Sequence, residues 1–432
     1  MSLRQSALLL ILATGLVAIL GIWSTNAALQ RSWALPVALL LAGLMYERAM
    51  LRRTVVELEV QAPEYWPLGR SRDVCLAFRQ HSRASVHIQV VVSAPEEFAA
   101  DARIETLLLR AGIPTVTTLS ATARRLGSYA WPPPVMRVGG ALNLAWWSRS
   151  VASRCTLTVV PDMLNRLEQA AGQQGFGAQP ARAAGSGTEV LQLRDYRRGD
   201  PLRSIDWKAT ARRGRPVARD FSEDQHLEVI VAIDAGRASG MGAANVDRLG
   251  LYVNVAARFA QRAAALDDAV GVVIFAAQPL AMLPPARGEA AVTRVRDLLT
   301  VCRVQPGESN PVLAAARIRA MAQRRSLVLI LTDLEDAAAG EQLVKATRLL
   351  TPKHLPFIAG FQSERIERLG RAPAREPIAA YRALAALEYS STMQANVRAL
   401  RALGAAALTA RPADLDGAVL AAYRQFREQR RI

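Results

Sequence analysis

The chain has 432 residues, of which 51% are hydrophobic and 21% charged, a composition that excludes an intrinsically disordered protein and predicts two or three domains. Its formal net charge of +17 is typical of proteins that bind nucleic acid or anionic lipid. The basic residues are nevertheless spread along the whole chain, so we predict no nucleic-acid partner. With three cysteines, four histidines and no CxxC motif, neither a disulfide framework nor a zinc site is expected.

Two apolar runs, residues 7–22 and 33–46, open the chain. A bilayer core requires about 20 apolar residues per helix, a length that the first run meets with its flanks and the second meets by extending to residue 50. Residues 1–53 are therefore predicted to form a transmembrane helical hairpin, with Trp23 and Trp33 at the membrane interface. The alternative is a signal peptide cleaved near residues 25–27.

Three arginines follow the second run directly, namely Arg48, Arg52 and Arg53. Positive residues on the inner side of a bacterial membrane set the orientation of its helices. The sequence thus predicts a two-helix protein of the bacterial inner (cytoplasmic) membrane. Its soluble domains are expected to be cytoplasmic, and these arginines to contact membrane lipid.

Residues 54–162 change to the β-branched, alternating pattern of short strands, at 56–60, 74–78, 86–92, 115–119 and 155–160. Short strands separated by Gly and Pro predict a small antiparallel β-sandwich-like module. Residues 163–188 are then rich in Gln, Gly, Ala and Ser, which predicts a flexible linker.

Residues 189–224 form a signature segment of unusual composition. Asp200 and Pro201 are suited to the cap and the first position of a helix, and Gly214 to its end. Within that helix, Leu202, Ile205 and Ala209 would share one face.

The function of the signature segment has two interpretations. Arg203 and Trp207, four residues apart, would stack on a surface that docks a partner. Alternatively, the segment folds the linker onto the next domain. Its charges would then be neutralised by Asp195, Asp206, Asp220 and Glu223.

The signature segment carries a resemblance to a known family. Its pattern resembles the hallmark of the bacterial family called "domain of unknown function 58". The residues that carry the resemblance are Tyr196, Gly199, Asp200, Arg203, Ile205, Asp206, Trp207, Lys208, Ala211 and Arg212. The resemblance implies a membrane hairpin, a β module and a C-terminal von Willebrand factor A-like domain. It also implies a partnership with a MoxR-type AAA+ ATPase in the assembly or maturation of envelope proteins.

Residues 225–432 alternate between short apolar strands and amphipathic helices, which predicts a parallel, Rossmann-like α/β sheet covered on both faces. The expected strands are 227–233, 270–275, 327–331, 355–359 and 405–409. The expected helices are 246–266, 289–300, 311–323, 341–350, 378–403 and 415–427. Asp234 and Asp333 follow two of these strands at the carboxyl edge, where ligands of such sheets bind.

The resemblance to von Willebrand A-like domains implies a Mg²⁺ site of the form Asp-x-Ser-x-Ser, a distant Thr and a later Asp. Here Asp234, Ser309 and Asp333 stand at the first, Thr and last positions, whereas glycine and alanine occupy the two Ser positions and Ser239 comes one residue late. Because so few oxygen ligands remain, no cofactor is expected, with Mg²⁺ as the alternative. Otherwise the two aspartates cap loops or pair with Arg237.

The sequence contains no catalytic motif such as a P-loop, HExxH or Gly-x-Ser-x-Gly, which favours a protein that is not an enzyme. The predicted function is a membrane-anchored protein-interaction scaffold. The alternative is a Mg²⁺-dependent hydrolase or phosphatase that uses the carboxylates at the strand ends.

Overall fold

The computed structural model describes residues 2–23, 31–52, 54–81, 85–140, 142–152, 155–163, 184–222, 226–243, 246–373 and 376–429. The chain divides into two compact units, Met1–Val160 and Pro161–Ile432.

Two apolar helices lie near the start of the first unit, α1 (Gln5–Ile22) and α2 (Ala34–Arg52). In the described part of the chain, α2 is the helix that is long and apolar enough to cross a membrane, and the apolar part of α1, Gln5–Leu20, is shorter. The sequence predicted two spanning helices, the first complete with its flanks and the second by extension to residue 50. The extension of α2 through Glu47 and Arg48 is present and reaches Arg52, whereas the span of α1 stays a prediction.

The β module is built from twelve short strands. They are β1 (Ser2–Leu3), β2 (Val56–Gln61), β3 (Tyr65–Pro67), β4 (Ser71–Gln80), β5 (Val86–Val92), β6 (Phe98–Ala100), β7 (Arg103–Leu109), β8 (Thr115–Ala123), β9 (Gly127–Ala130), β10 (Val135–Gly139), β11 (Ala145–Ser150) and β12 (Thr156–Val160). They form a five-stranded sheet (β1-β11-β10-β5-β7), a four-stranded sheet (β2-β4-β8-β6) and a three-stranded sheet (β3-β12-β9). All five strands expected from the sequence are present.

The two larger sheets are antiparallel throughout their described pairs. In β5, Val86, Ile88, Val90 and Val92 are buried and alternate with half-buried residues, because successive side chains of a strand lie on opposite faces. The core of the module also contains Phe98, whose ring is in edge contact with the rings of its buried aromatic neighbours.

Helix α2 is attached to the β module through a buried carboxylate. Glu47 is almost fully buried, and its two carboxylate oxygens accept hydrogen bonds from the backbone N–H groups of Leu144 and Ala145, at 3.1 and 3.2 Å. Gly140 leaves the space for this side chain, since a Cβ there would lie 2.6 Å from the Glu47 Cδ. One residue thus satisfies two backbone donors that face the end of the helix.

The second unit contains ten strands and eight helices among its described residues. The strands are β13 (Ala184–Asp195), β14 (Val217–Ser222), β15 (Glu228–Asp234), β16 (Gly242–Ala243), β17 (Val246–Asp247), β18 (Ala269–Phe275), β19 (Pro279–Ala286), β20 (Leu327–Leu331), β21 (Leu355–Phe361) and β22 (Ala406–Ala410). The helices are α3 (Trp207–Arg213), α4 (Arg248–Ala265), α5 (Glu289–Thr300), α6 (Pro311–Met321), α7 (Ala337–Leu350), α8 (Glu364–Arg371), α9 (Pro377–Ala402) and α10 (Leu415–Glu428).

The main sheet of this unit has the strand order β19-β18-β15-β20-β21-β22. Its strands are parallel except β19, which pairs antiparallel with β18 at one edge. Every residue of β15 from Val229 to Asp234 is buried, as expected for a strand covered by helices on both faces. The sequence predicted the five parallel strands and six helices that build this α/β unit, but neither β19 nor α8.

The expected linker is shorter than the sequence indicated. Residues 164–183 lie outside the described residues, but residues from Ala184 onward form β13, which pairs antiparallel with β14 and carries two register shifts. The last five residues of the expected linker therefore belong to a β-hairpin, and the signature residues lie between its two strands.

We expect the substitution Glu47→Ala to lower the free energy of unfolding of the first unit by about 2 kcal/mol, because it leaves two buried N–H groups without an acceptor. Thermal unfolding of the full chain in detergent micelles measures this change. Glu57→Ala is the matched control, since Glu57 is exposed. Equal stability of the two variants would contradict the assignment of Glu47.

Candidate functional site

The carboxyl edge of the main sheet gathers the first set of candidate residues. The chain leaves β15 toward β18 on one side and continues after β20 toward β21 on the other, so the connections diverge between these two neighbouring strands. In open α/β sheets, ligands bind at such a switch point. Asp234 ends β15, and Thr332 and Asp333 directly follow β20.

Asp234 is buried and fully hydrogen-bonded. Its Oδ1 accepts hydrogen bonds from the Gly236 backbone N–H, at 2.9 Å, and from the Ser309 hydroxyl, and its Oδ2 accepts one from the Thr332 hydroxyl at 2.6 Å. Burial raises the pKa of the Asp234 carboxyl above its ordinary value, and the hydrogen bonds from Ser309 and Thr332 oppose that rise. Three donors therefore occupy this carboxylate, and sequence reasoning did not identify Thr332.

Ser309 takes the place that a side chain at position 236 would fill. A Cβ at Gly236 would lie 2.1 Å from the Ser309 Oγ and 3.2 Å from the Asp234 Oδ1. Ser239, the late serine of the expected motif, is buried, and its hydroxyl donates to the Asp234 backbone carbonyl at 2.7 Å. The two serine hydroxyls near Asp234 thus both act as donors to that residue.

Asp333 pairs with a buried arginine. Arg248, the first residue of α4, is 5% exposed; its Nη1 donates to the Asp333 Oδ2, and its Nη2 lies 2.6 Å from the Glu335 Oε2. Its guanidinium also lies 4.4 Å from the centre of the Phe361 ring, a cation–π contact. Burial raises the pKa of the Glu335 carboxyl, and the charge of Arg248 opposes that rise.

Of the two alternatives expected for these aspartates, loop capping is observed, since Asp234 accepts from the Gly236 N–H and Asp333 accepts from the Glu335 N–H at 3.1 Å. The other alternative, pairing with Arg237, is wrong. Arg237 forms an ion pair with Glu308, and both side chains are about three-quarters exposed. Of the three candidate metal ligands, Asp234 and Ser309 contact each other, whereas Asp333 contacts Arg248. Among the described residues, no three His, Cys, Asp or Glu side chains are arranged to hold a metal ion.

The signature segment folds differently from the expected helix. Leu202–Ser204 is a separate 3-10 turn, and α3 begins only at Trp207, with Asp206 as its cap. The Asp206 Oδ1 accepts from the Ala209 N–H at 3.0 Å. Gly214 ends the helix in the left-handed conformation, with φ 67°, which confirms its expected role.

Asp200 binds arginine instead of capping a helix. Its two carboxylate oxygens accept from both Nη atoms of Arg194, at 2.7 and 2.9 Å, and one also accepts from the Arg197 N–H at 2.8 Å. These bonds, above all those from Arg194, lower the pKa of the Asp200 carboxyl to about 2. The Tyr196 hydroxyl donates to the Asp200 carbonyl at 3.1 Å, and Gly199 supplies a φ of 106° that permits this turn.

Two further aspartates are also paired within the segment. Asp206 accepts from the Arg219 Nε at 2.9 Å, which lowers the pKa of the Asp206 carboxyl. Asp195 lies 3.0 Å from Arg215. Asp220 and Glu223, the other expected acidic partners, have side chains outside the described residues.

The segment leaves large side chains in solvent. Trp207 is 69% exposed and Leu202 is 73% exposed, and no residue of α3 is buried. The expected shared face of Leu202, Ile205 and Ala209 is therefore wrong, because Leu202 precedes α3 and is exposed. Lys208 and Arg212 are exposed as well. The side chain of Arg203 lies outside the described residues, and with it the expected stacking on Trp207.

The expected membrane-interface residues lie at the ends of the two apolar helices. Trp23 directly follows α1, Trp33 directly precedes α2, and both are exposed. Arg48 lies with its guanidinium 5.8 Å from the centre of the Trp147 ring. Arg52 ends α2, and Arg53 lies outside the described residues.

Comparison with known proteins supports the family resemblance in part. The model of a family described as "Protein of unknown function DUF58" matches residues 192–358, which include the signature residues and both strands of the switch point. No enzymatic activity is known for that family. The implied von Willebrand A-like fold and the MoxR-type partner stay predictions.

Uncharacterized proteins occur among the similar sequences and among the similar structures. Uncharacterized proteins from Mycobacterium tuberculosis and Mycobacterium bovis are 26% identical over 151 residues, which cover 34% of this chain and 48% of each relative. The chain thus spans about half the length of the curated relatives it matches. A crystal structure of an uncharacterized membrane spanning protein from Vibrio fischeri is 16% identical and covers 46% of this chain and 98% of its own. Its TM-score of 0.19 carries no argument about the fold.

We expect Gly236→Ala to destabilise the second unit by about 1–3 kcal/mol, because the added methyl group collides with the Ser309 hydroxyl. The double variant Gly236→Ala/Ser309→Ala should lose less than the sum of the two single variants, since the colliding oxygen is gone. Denaturant unfolding measures all three changes. Gly242→Ala, where a Cβ meets nothing within 4 Å, is the control, and additive losses would contradict the contact.

The ion pair of Asp200 gives the signature segment a defined pH dependence. Because its folded pKa of about 2 lies below the ordinary value of about 3.9, its stabilising contribution is present above pH 4 and is lost as the pH falls through 2. Hydrogen exchange of the Arg197 amide should therefore accelerate, relative to its intrinsic rate, over that range. Asp200→Asn should exchange fast throughout, whereas Asp195→Asn should behave like the unsubstituted chain. Equal protection in Asp200→Asn would contradict the role of this carboxylate.

Proposed function

We propose that the protein is a membrane-anchored protein-interaction scaffold whose signature segment docks a protein partner. The observation that carries the proposal is the exposed Trp207 on α3, a helix without buried residues that is held in place by ion pairs and a hairpin. An exposed tryptophan contributes little to folding, whereas burial of such a side chain dominates many protein interfaces.

The anchor in this proposal is the pair of apolar helices. Large apolar side chains along both helices are unburied within the chain, among them Leu12 and Leu35, which suits contact with lipid. Trp23 and Trp33 lie at the ends where interfacial aromatics occur. Arg48 and Arg52, at the far end of α2, favour an inner-membrane hairpin with both soluble units in the cytoplasm.

The second unit is proposed to be a von Willebrand A-like domain. Counted along the chain from β15, the order of its main sheet is 3-2-1-4-5-6, a doubly wound order in which a ligand binds at the switch point. The antiparallel third strand and the positions of Asp234 and Asp333 support the resemblance. Such a fold without a catalytic arrangement suits a binding function. A hydrolase that uses Asp234 receives no support, because three donors occupy its carboxylate.

The charge balance of the signature segment indicates the chemistry of the partner. Three aspartates pair within the segment with Arg194, Arg215 and Arg219. Six cations of the segment remain, and the side chains of five of them are described. In the described part of the chain, no carboxylate forms an ion pair with these five. These are Arg197, Arg198, Lys208, Arg212 and Arg213. A surplus of positive charge around Trp207 favours an acidic protein surface with an apolar depression, because complementary charge steers association and selects partners.

The family resemblance suggests that this partner is a MoxR-type AAA+ ATPase. A scaffold fixed in the membrane would bring such an ATPase to envelope proteins during their assembly or maturation. The pairing of Asp200 with Arg194 and of Asp206 with Arg219 keeps the docking segment in one conformation before binding. Such preorganisation reduces the entropy lost on association.

Affinity for the MoxR-type ATPase of the same organism tests this function. We expect Trp207→Ala in the full chain, held in nanodiscs, to weaken binding at least tenfold, which corresponds to about 1.4 kcal/mol. Tyr381→Ala on α9 is the matched control, since Tyr381 is an equally exposed aromatic residue outside the segment. Lys208→Glu should also weaken binding and reduce its salt dependence. The proposal would be contradicted if the unsubstituted chain did not bind the ATPase, or if Trp207→Ala bound it as tightly as the unsubstituted chain.

A further inference from the structure

We propose that Arg248 supplies, as a fixed part of the fold, the positive charge that a divalent ion supplies in metal-holding von Willebrand A-like domains. This inference rests on the proposed assignment of the second unit as such a domain, but not on the docking of a partner at the signature segment.

The first argument is the charge balance at the switch point. Asp234, Asp333 and Glu335 are all less than 10% exposed, and buried carboxylates are costly unless they are paired or protonated. Arg248 contacts two of the three directly. The third, Asp234, receives three hydrogen bonds. One cation built into the fold therefore pairs with two of these carboxylates, and hydrogen bonds stabilise the third.

The second argument is the supply of oxygen ligands. Mg²⁺ demands nearly octahedral coordination by oxygen. Gly236 brings no side-chain oxygen, and the Ser309 hydroxyl fills the space beside it. The hydroxyls of Ser309 and Thr332 are hydrogen-bonded to the Asp234 carboxylate, and that of Ser239 to the Asp234 carbonyl. The oxygens around Asp234 are thus few, and among the described residues no three His, Cys, Asp or Glu side chains are arranged to hold a metal ion.

The third argument is the placement of Arg248 itself. It is the first residue of α4, where the helix dipole disfavours a positive charge. Asp333 and Glu335 offset that cost, and the ring of Phe361, at the end of β21, packs against the guanidinium. The backbone N–H of Arg248 also donates to the Met241 carbonyl at 2.9 Å. The guanidinium of Arg248 is therefore held by several segments of the chain. As part of the chain, it is present whatever ions the solvent contains.

The burial of Arg248 distinguishes its role from direct contact with a partner. Arg248 is 5% exposed, so it does not contact a partner itself. Its guanidinium keeps the carboxylates of the neighbouring loop in one arrangement, as a bound ion would. The structure thus assigns Arg248 a positioning role at the sheet edge, and any partner that binds this edge is expected to be insensitive to chelators.

Binding of Mn²⁺, measured by electron paramagnetic resonance on the full chain after EDTA treatment, tests the proposal. We expect the unsubstituted chain to show no Mn²⁺ site that depends on Asp234 or Asp333. Arg248→Met removes the charge but retains apolar volume beside Phe361, and it should bind one Mn²⁺ at least tenfold more tightly than the unsubstituted chain. Adding Asp333→Asn should abolish that site.

Two further variants distinguish the effect of removing the positive charge from the effect of removing an arginine side chain. Arg248→Lys retains a cation and should gain no Mn²⁺ site. Arg237→Met, at a neighbouring but exposed arginine, should behave like the unsubstituted chain.

Two results would overturn the proposal: Mn²⁺ binding by the unsubstituted chain that Asp234→Asn or Asp333→Asn removes, or a folded Arg248→Met variant that gains no affinity. If Arg248→Met does not fold, the titration of the unsubstituted chain decides by itself. Its lack of an aspartate-dependent site then supports the proposal. Because no partner protein is present, failure of the docking proposal leaves these results unchanged.

Discussion

The pairing of Arg248 with Asp333 and Glu335 is the interaction on which the carboxyl edge of the main sheet depends. It joins the start of α4, which follows β15 in the chain, to the loop after β20. These two strands are neighbours in the sheet, but their connections diverge, so the loops at this point share no continuous secondary structure. Breaking a buried ion pair leaves an uncompensated charge and costs several kcal/mol. Arg248 therefore ties the loop after β20 to the start of α4.

The signature segment uses the same chemistry for a different purpose. Its ion pairs, such as that of Asp200 with Arg194, lie at the surface, where each contributes little to stability. Their effect is to define one conformation of a short, exposed segment that has no core of its own. A tryptophan on a mobile loop would lose conformational entropy on binding. Trp207 lies on a helix that ion pairs hold in place, and it would lose less conformational entropy. Ion pairs thus compensate the charge of buried carboxylates at the sheet edge, and in the signature segment they preorganise exposed apolar side chains.

Sequence periodicity was sufficient for most of the main sheet and for the five expected strands of the β module, because their apolar residues recur with the period of the element. It failed for β19, whose sequence contains Pro279, Pro284 and Pro285. Proline argues against a central strand but is tolerated at an edge, which is where β19 lies. The hairpin strand β13 was also missed, since its first residues are the Gly, Ala and Ser of an apparent linker.

The candidate site was less accessible to sequence reasoning. Asp234 and Asp333 were recognised from their positions after strands, but the partner of Asp333 lies 85 residues away and carries no local signal. In the sequence, Arg248 directly follows the aspartate that caps α4. Such a position is indistinguishable from that of an ordinary surface residue in the first turn of a helix. In the signature segment, the sequence indicated Asp200 as the cap, because a proline follows it. The bidentate contact of Arg194 removes Asp200 from that role, and Asp206 caps α3.

The net charge of +17 acquires a more specific meaning from these pairs. In the signature segment, three described aspartates pair with particular arginines, and at the sheet edge Asp333 and Glu335 pair with Arg248. Part of the positive charge remains beside Trp207, where Lys208 and Arg212 have no described acidic partner. Bulk charge alone suggested a polyanion, but a polyanion does not require an exposed tryptophan on a braced helix. Under the proposed docking, an acidic protein surface with an apolar depression would contact both features.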